Sequence, residues 1–211
     1  MQEVTFTDLE RDALQEIMNI GFGLAAADLA EIINLHVQLS VPYINVMKAD
    51  DLQQYINTQI PNSADMSMIS QFFSGKFNGA SFLVIPQGEG MKLFHLFDTD
   101  INLEDPACDL YMLQRETLIE VGNIIISACV GKIAEMLGDP VNYSPPHYYS
   151  QEMIPAALDT VFLQKESFAI LFKTVFNFEQ DDVTGYLFLV SNFDVMAWLK
   201  KAIERYLAQY A

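Results

Sequence analysis

Acidic and amide side chains recur at helical spacing near the beginning of the chain. Asp12, Glu16 and Asn19 stand four and three residues apart, and successive residues advance by about 100° around the axis of an α-helix. On a helix the three side chains therefore share one stripe about 60° wide. Two carboxylates could act as an acid–base pair, and a carboxamide can both donate a hydrogen bond to water and accept one from it.

The same pattern occurs a second time. The segment 14–21 (LQEIMNIG) recurs as 118–125 (LIEVGNII), at an offset of 104 residues. This second copy places Glu116, Glu120 and Asn123 on an equivalent stripe. We therefore treat the two stripes as a pair of candidate sites.

Residues that follow each asparagine also correspond. A proline stands 23 residues after each of them, Pro42 in the first copy and Pro146 in the second. Gly23 and Ser127 each lie four residues after the asparagine, so the helix surface there should be low enough for another molecule to approach closely. The prolines are expected to shape the segment beside each helix.

Self-similarity continues to the end of the chain. The segment 77–84 (FNGASFLV) corresponds to 183–190 (VTGYLFLV) at an offset of 106 residues. Repetition at a nearly fixed offset predicts an internal duplication. We expect one domain over 1–211, made of two repeats (about 5–100 and 105–211) that share a single sheet.

Hydrophobic periodicity predicts the elements that carry the stripes. Thr7 and Glu10 fit a capping box, so the first long helix should begin near residue 8. Helices packed against an antiparallel sheet make an α+β architecture with pseudo-twofold symmetry, in which two long helices bear the sites. The predicted helices are 8–34, 49–56, 109–137, 155–162 and 193–209, and the predicted strands are 37–47, 66–73, 76–85, 146–152, 168–178 and 184–190.

Simpler interpretations compete with a functional one. An acidic stripe is usually the solvated face of an amphipathic helix, and common descent alone could preserve it in both copies. Residues 21–26 (GFGLAA) match a dinucleotide-binding pattern, but that pattern needs glycines at a helix N-terminus. Here they fall well inside a predicted helix, where they are expected to permit close packing or the approach of a partner.

Composition narrows the class of function. The chain has 211 residues, and 11 Lys and Arg against 28 Asp and Glu give a formal charge of −17. This charge argues against nucleic acid and anionic membrane surfaces as partners. No continuous apolar run of about 18 residues and no signal-peptide pattern is evident, so we expect a cytoplasmic protein without membrane insertion. Cys108 and Cys129, like the three scattered histidines, form no metal-ligand pattern, so no metal site is expected.

At this point the motif resembles a known family. The spacing (Asp/Ser)-x3-Glu-x2-Asn-x22-Pro is the signature of the CheC/CheX/FliY phosphatases of chemotaxis, and the whole chain is most similar to CheC. Asp12, Glu16, Asn19 and Pro42 match every position of the first copy. The second copy matches except at its opening position, where Glu116 replaces Asp or Ser.

The resemblance implies a specific activity. Members of the family are hydrolases of two-component signalling that remove the aspartyl phosphate of the response regulator CheY. It implies that Asn19 and Asn123 orient the attacking water, and that Glu16 and Glu120 pair with a regulator lysine. The Mg²⁺ would be supplied by the response regulator rather than by a cofactor site of this chain. Asp12, Gly23, Glu116 and Ser127 are then expected to contact the regulator, and Pro42 and Pro146 to support the sites structurally.

Two alternatives stay open at this stage. The chain could be a non-catalytic binding module for a response regulator or for CheD, a deamidase that CheC-like proteins also bind. It could also be a different hydrolase that uses Asp12 and Glu16 as paired carboxylates.

Overall fold

The computed structural model describes most of the chain, in seven segments. These are residues 5–33, 36–61, 65–97, 109–138, 140–161, 167–178 and 182–208. In chain order the first half contains α1 (Asp8–Ile33), β1 (Val37–Lys48), a 3₁₀ turn (Ala49–Asp51), α2 (Leu52–Gln59), β2 (Met66–Ser74), β3 (Gly79–Pro86) and α3 (Gln87–Phe97). The second half contains α4 (Leu110–Leu137), β4 (Asn142–Tyr143), β5 (His147–Ser150), a 3₁₀ turn (Gln151–Met153), α5 (Ile154–Val161), β6 (Ser167–Phe178), β7 (Asp182–Asn192) and α6 (Phe193–Ala208).

The predicted α+β architecture is confirmed, and most predicted elements occur within a few residues of their expected bounds. The structure differs from the prediction in several details. The helix α3 and the short strand β4 were not predicted, the strand expected over 146–152 is confined to β5 (His147–Ser150), and β3 begins at residue 79 rather than 76. The late start of β3 has a local cause, because the Asn78 amide donates to the carbonyls of Gly75 and Lys76 and closes a turn there.

The capping box predicted at the start of α1 is present. The Thr7 backbone N–H donates to Glu10 Oε2 at 2.7 Å, and the Glu10 N–H donates to Thr7 Oγ1 at 3.3 Å. Lys200 of α6 adds an ion pair to Glu10 at 3.4 Å. Burial alone would raise the pKa of Glu10, but the Thr7 hydrogen bonds and the Lys200 charge hold that pKa below its usual value. The N-terminus of α1 is thereby fixed to the C-terminal helix.

Strands from both halves of the chain are interleaved in one sheet. Seven strands of the described segments form a sheet in the order β1-β6-β7-β3-β2-β4, with β5 also paired to β2. All the strand pairs are antiparallel. Each half therefore gives a strand to the other, since β1 pairs with β6 and the β4–β5 segment pairs with β2.

The centre of the sheet shows how the halves correspond. In the β3–β7 pair, Phe82 lies opposite Phe188, and these two residues are themselves 106 positions apart. The order of elements is also the same in both halves. The duplication as an evolutionary event and the repeat bounds stay predictions, and the expected boundary near 100–105 lies outside the described residues.

The sheet is buried on both faces. On one face α1, α4 and α6 cover side chains such as Ile69, Leu83 and Phe172. On the other face α2 and α5 cover Met68 and Phe82. Successive residues of a strand point to opposite faces, so β2 and β3 contribute side chains to both cores. Each half of the sheet also fixes the position of a long helix.

Among the residues that the structure describes, α4 has the length and composition of a membrane-spanning helix. Its segment Leu110–Glu135 is long and apolar enough to cross a bilayer by length and composition alone, although 56% of its most apolar window is buried inside the fold. Burial of this kind is typical of a core helix that packs between a sheet and a second helix.

Glycines allow the long helices to pack closely. A Cβ atom built on Gly21 of α1 would lie 3.2 Å from Lys132 Cβ and 3.3 Å from the Ala128 carbonyl oxygen of α4. One built on Gly122 of α4 would lie 2.7 Å from Ile69 Cγ2 of β2. The close packing expected at the glycine pair therefore holds for Gly21, whereas a Cβ on Gly23 would meet nothing within 4 Å.

We predict that Gly122→Ala lowers the free energy of unfolding relative to Gly23→Ala by about 1–3 kcal/mol, the usual cost of overpacking. Both positions lie inside long helices, so the gain in helix propensity of up to about 1 kcal/mol is common to both variants and cancels. Urea unfolding followed by circular dichroism measures the difference. Equal stability of the two variants would show that α4 does not rest closely on β2.

Candidate functional site

The predicted stripe on α1 is accessible to solvent. Asp12, Glu16 and Gly23 are exposed, and Asn19 is half-buried. Their neighbours Ile17 and Phe22 are buried in the core. The amphipathic pattern of α1 therefore turns the stripe away from the sheet while the amide lies near the edge of the buried face.

The stripe on α4 has the same character. Glu116 and Glu120 are exposed, whereas Asn123 and Ser127 are half-buried. Asp109 caps the N-terminus of this helix, because its carboxylate accepts a hydrogen bond from the Met112 N–H at 3.1 Å. α1 and α4 are in contact, so both stripes belong to one pair of packed helices on the same face of the sheet.

The amide of Asn123 is held by a residue from the first half of the chain. Gln71 Nε2 of β2 donates to Asn123 Oδ1 at 3.1 Å and to the Ser144 carbonyl oxygen at 2.9 Å. Gln71 is only 2% exposed. The structure thus links helix, strand and the loop before β5 through one buried side chain.

The segment that contains the second motif proline is tied to the same strand. The Ser144 N–H donates to the Phe72 carbonyl at 2.9 Å, and the Phe72 N–H donates to Ser144 Oγ at 3.0 Å. Pro145 and Pro146 follow immediately and precede β5. The proline pair restricts the backbone of this loop, which is where the anchoring carbonyl of Ser144 is located.

The first motif proline occupies a corresponding position in the backbone. Pro42 lies in β1 where the register with β6 shifts, between Ser40 and Tyr43. A residue without an N–H is tolerated at such an irregularity because it interrupts no ladder hydrogen bond. In both copies a serine stands two residues before the proline, at Ser40 and Ser144.

The surface beyond each asparagine differs between the copies. Gly23 leaves open space on α1, and the apolar Ile20 and Leu24 beside it are 42% and 52% exposed. On α4 the equivalent Ile124 and Ala128 are half-buried. The first stripe therefore borders a more apolar accessible surface than the second.

Sequence reasoning missed two features of the sites, the arginine before each stripe and the buried Gln71. Arg11 and Arg115 directly precede the stripes at the repeat offset of 104 residues, and both are exposed. Neither forms an ion pair within the described part of the chain, although the Arg115 guanidinium lies 5.9 Å from the centre of the Tyr148 ring. The repeat comparison contained this signal, whereas no local pattern pointed to Gln71.

The described residues offer little support for a conventional enclosed active site. No group of three or more His, Cys, Asp and Glu side chains among them is placed to hold a metal ion. One groove lies between β1 and α2, and another lies near the end of α4. Asp12 and Glu16 line neither of these two grooves, so neither groove supports the paired-carboxylate hydrolase.

Comparison with known proteins agrees with the motif. The model of the CheC-like family matches residues 9–46, the span that contains the first motif. The CheY-P phosphatase CheC of Bacillus subtilis (strain 168) is 23% identical over 194 residues, covering 88% of this chain and 89% of that protein.

Solved structures show the same fold. Thermotoga maritima FliY superposes with a TM-score of 0.74 at 18% identity, over 96% of this chain and 99% of that one. A chain of the H. pylori FliM–SpeE complex superposes with a TM-score of 0.63 at 10% identity, over 94% of this chain and 98% of that one.

Together, the seven-stranded sheet and the two long helices that carry Glu-x2-Asn define a domain with the fold of Thermotoga maritima FliY. The resemblance to the CheC-like family inferred from the motif is confirmed by the family model over residues 9–46 and by the Bacillus subtilis relative.

A tyrosine next to the second stripe provides a pH-dependent test of the site's packing. The Tyr143 hydroxyl donates to the Ser127 carbonyl at 3.1 Å. Burial, with a smaller contribution from nearby Cys129, raises the pKa of Tyr143 to about 12. The pKa of Tyr143 in the folded state is thus higher than its unfolded value of about 10. The contribution of protonated Tyr143 to the free energy of unfolding is therefore fully present below about pH 10 and is lost as the pH rises through 12.

We therefore predict that Tyr143→Phe makes the free energy of unfolding fall less steeply between about pH 10 and 12 than in the wild type. Urea unfolding at several pH values in this window measures the slope. A slope identical to that of the wild type would mean that Tyr143 titrates equally in the folded and unfolded chains.

Proposed function

We propose that this protein is a phosphatase that hydrolyses the aspartyl phosphate of a CheY-type response regulator. The observation that supports it most is the occurrence of Glu-x2-Asn on accessible stripes of both long helices. A relative that covers most of the chain carries the name CheY-P phosphatase CheC. The stripes lie on convex helix surfaces, which suits a macromolecular substrate that brings its own pocket.

The proposed reaction requires little chemistry from this chain. A water oxygen attacks phosphorus, and the bond between phosphorus and the aspartyl oxygen breaks. The products are a free aspartate carboxylate and inorganic phosphate, and the proton of the water passes to solvent or phosphate. An acyl phosphate is already an activated group, so positioning of the water and neutralisation of charge can account for the acceleration.

Asn19 and Asn123 are the groups proposed to position that water. A carboxamide has almost no basicity, but it can accept a hydrogen bond from the water and donate another. The half-burial of both residues is consistent with this role, since it restricts the rotamers of a side chain whose tip must be placed accurately. The water keeps a lone pair directed at the phosphorus.

The remaining stripe residues are proposed to fix the regulator on the helix. Glu16 and Glu120 would pair with a regulator lysine, and Asp12 and Glu116 would make further polar contacts. Glu116 keeps the charge of Asp12 on a side chain one methylene longer, so its contact must lie slightly further from the helix.

Two further contacts and the metal complete the proposal. Gly23 and Ser127 would allow the regulator surface to approach beside each amide. The Mg²⁺ that stabilises the phosphoryl group would be held by the regulator, and no residue of this chain is assigned to it. The net charge of −17 gives no long-range attraction toward an acidic regulator pocket, so these local contacts must carry the association.

We predict that Asn19→Ala and Asn123→Ala each remove the contribution of one site, and that the double variant loses the added hydrolysis rate by about 10²-fold or more, the cost of lost positioning. Phosphate release from the organism's own phosphorylated CheY-type regulators, measured under single-turnover conditions, gives the rate. Asn45→Ala is the matched control. Asn45 lies on β1 and lines a groove beside α2, away from both stripes.

A double variant that hydrolyses the aspartyl phosphate as fast as the wild type would overturn the assignment of the asparagines. A wild-type protein that binds the phosphorylated regulator without accelerating its hydrolysis would instead identify a non-catalytic binding module. Binding of CheD measured in the same preparations would then become the relevant activity.

A further inference from the structure

We infer that Gln71 is the positioning residue of the second site, and that it holds the Asn123 carboxamide with its oxygen inward and its nitrogen toward the accessible surface. The catalytic consequence of this inference rests on the proposed phosphatase function. The orientation itself rests on hydrogen bonds of the described residues and can be measured without any regulator.

The orientation follows from one unambiguous acceptor. The Ser144 carbonyl oxygen can only accept a hydrogen bond, and it lies 2.9 Å from the Gln71 amide group. The Gln71 atom facing it must therefore be nitrogen. The same nitrogen lies 3.1 Å from Asn123, so the Asn123 atom facing Gln71 must in turn be the oxygen. A backbone group thus determines which way a half-buried side-chain amide points.

Gln71 is itself firmly placed. It is 2% exposed in β2, and its backbone carbonyl accepts a hydrogen bond of 2.9 Å from the buried Ser81 hydroxyl. The loop carrying the Ser144 carbonyl is tied to the next residue of the strand, Phe72, by two hydrogen bonds. A donor held this rigidly loses little entropy when it fixes a partner.

The burial of this glutamine is costly, which favours a specific role over simple packing. Gln71 Oε1 is buried and has no hydrogen-bond partner, and an unsatisfied buried polar atom typically costs about 1–3 kcal/mol. An apolar side chain would fill the same space without that cost. The polar residue supplies two donated hydrogen bonds that an apolar residue cannot supply.

The first half of the sheet provides this donor to the second site, and the residue at the equivalent register position in the second half is not a donor. Phe82 of β3 and Phe188 of β7 are paired with each other. Ser81 and Leu187 each stand one residue before these phenylalanines, so they occupy equivalent positions. Gln71 is opposite Ser81, and Phe172 is opposite Leu187. Phe172 is therefore the equivalent of Gln71, and its side chain has no hydrogen-bond donor.

The fixed orientation determines which groups Asn123 can offer a substrate. One lone pair of Oδ1 is occupied by Gln71, and the other can accept a proton of the attacking water. Both hydrogens of Nδ2 are directed away from Gln71 and can reach the water oxygen or a phosphoryl oxygen. Without Gln71 the amide can rotate by 180°, and it would then spend part of its time with donor and acceptor exchanged.

The kinetic test uses Gln71→Met, which keeps side-chain volume approximately but removes the donor. In an Asn19→Ala background, where only the second site acts, we expect kcat to fall by about 10-fold to 10²-fold with little change in KM. In an Asn123→Ala background the same change should have no further effect, because the residue through which it acts is already gone. Gln54→Met on the exposed face of α2 is the control for the glutamine-to-methionine change.

Two kinetic outcomes would overturn the inference. One is an unchanged kcat for Gln71→Met in the Asn19→Ala background. The other is an equal fall in both backgrounds, which would reveal a general effect on folding rather than an effect on Asn123.

A second measurement separates this inference from the proposed function. In ¹H–¹⁵N spectra the side-chain amide protons of Gln71 should exchange slowly with solvent. Their exchange should accelerate in Asn123→Ala and remain slow in Asn123→Asp, which keeps an acceptor oxygen. If these signatures appear in a protein without phosphatase activity, the positioning is supported and the proposed function fails. If Asn123→Ala leaves the exchange unchanged, the positioning fails whatever the activity.

Discussion

The pairing of β3 with β7 is the constraint on which the rest of the structure depends. It joins the two halves at the centre of one sheet, with Phe82 opposite Phe188. The strands given by each half to the other, β1 to β6 and the β4–β5 segment to β2, then lie on either side of this centre. Since each long helix precedes such a strand, the same pairing brings α1 and α4 together on one face. Both halves therefore contribute to the position of each stripe.

The two long helices must satisfy opposite requirements along their length. Their inner faces pack closely enough that Gly21 and Gly122 leave almost no room for a Cβ atom, while their outer faces keep carboxylates in solvent. Asn19 and Asn123 lie between these regions and are half-buried. An amide at this boundary is restrained by the core on one side and accessible on the other, which is the combination that orienting a water molecule would require.

Much of this arrangement could be predicted from the sequence, because the signals are local. The 3.6-residue period gave the bounds of α1 and α4, and the capping box Thr7–Glu10 located the start of α1. α3 was not predicted, because Pro86, Gly88 and Gly90 are residue types typical of a loop. The apolar residues Leu93 and Phe94 of α3 are nevertheless buried in the fold. The bond from Gln71 to Asn123 spans 52 residues, and it depends on how β2 pairs and how α4 lies upon it. No local spacing could indicate it.

The two stripes therefore resemble each other more in sequence than in the residues that surround them. Both carry Glu-x2-Asn and a preceding arginine, yet the first borders exposed Ile20 and Leu24, whereas the second borders half-buried Ile124 and Ala128. The second amide is anchored by Gln71, and the equivalent of that glutamine in the other half is Phe172. A repeated motif places the same side-chain groups twice, but the neighbouring residues determine which groups contact each amide and how apolar the surface beside it is. Two copies of Glu-x2-Asn on helices that cover one sheet can thus have different surroundings although these motif residues are the same.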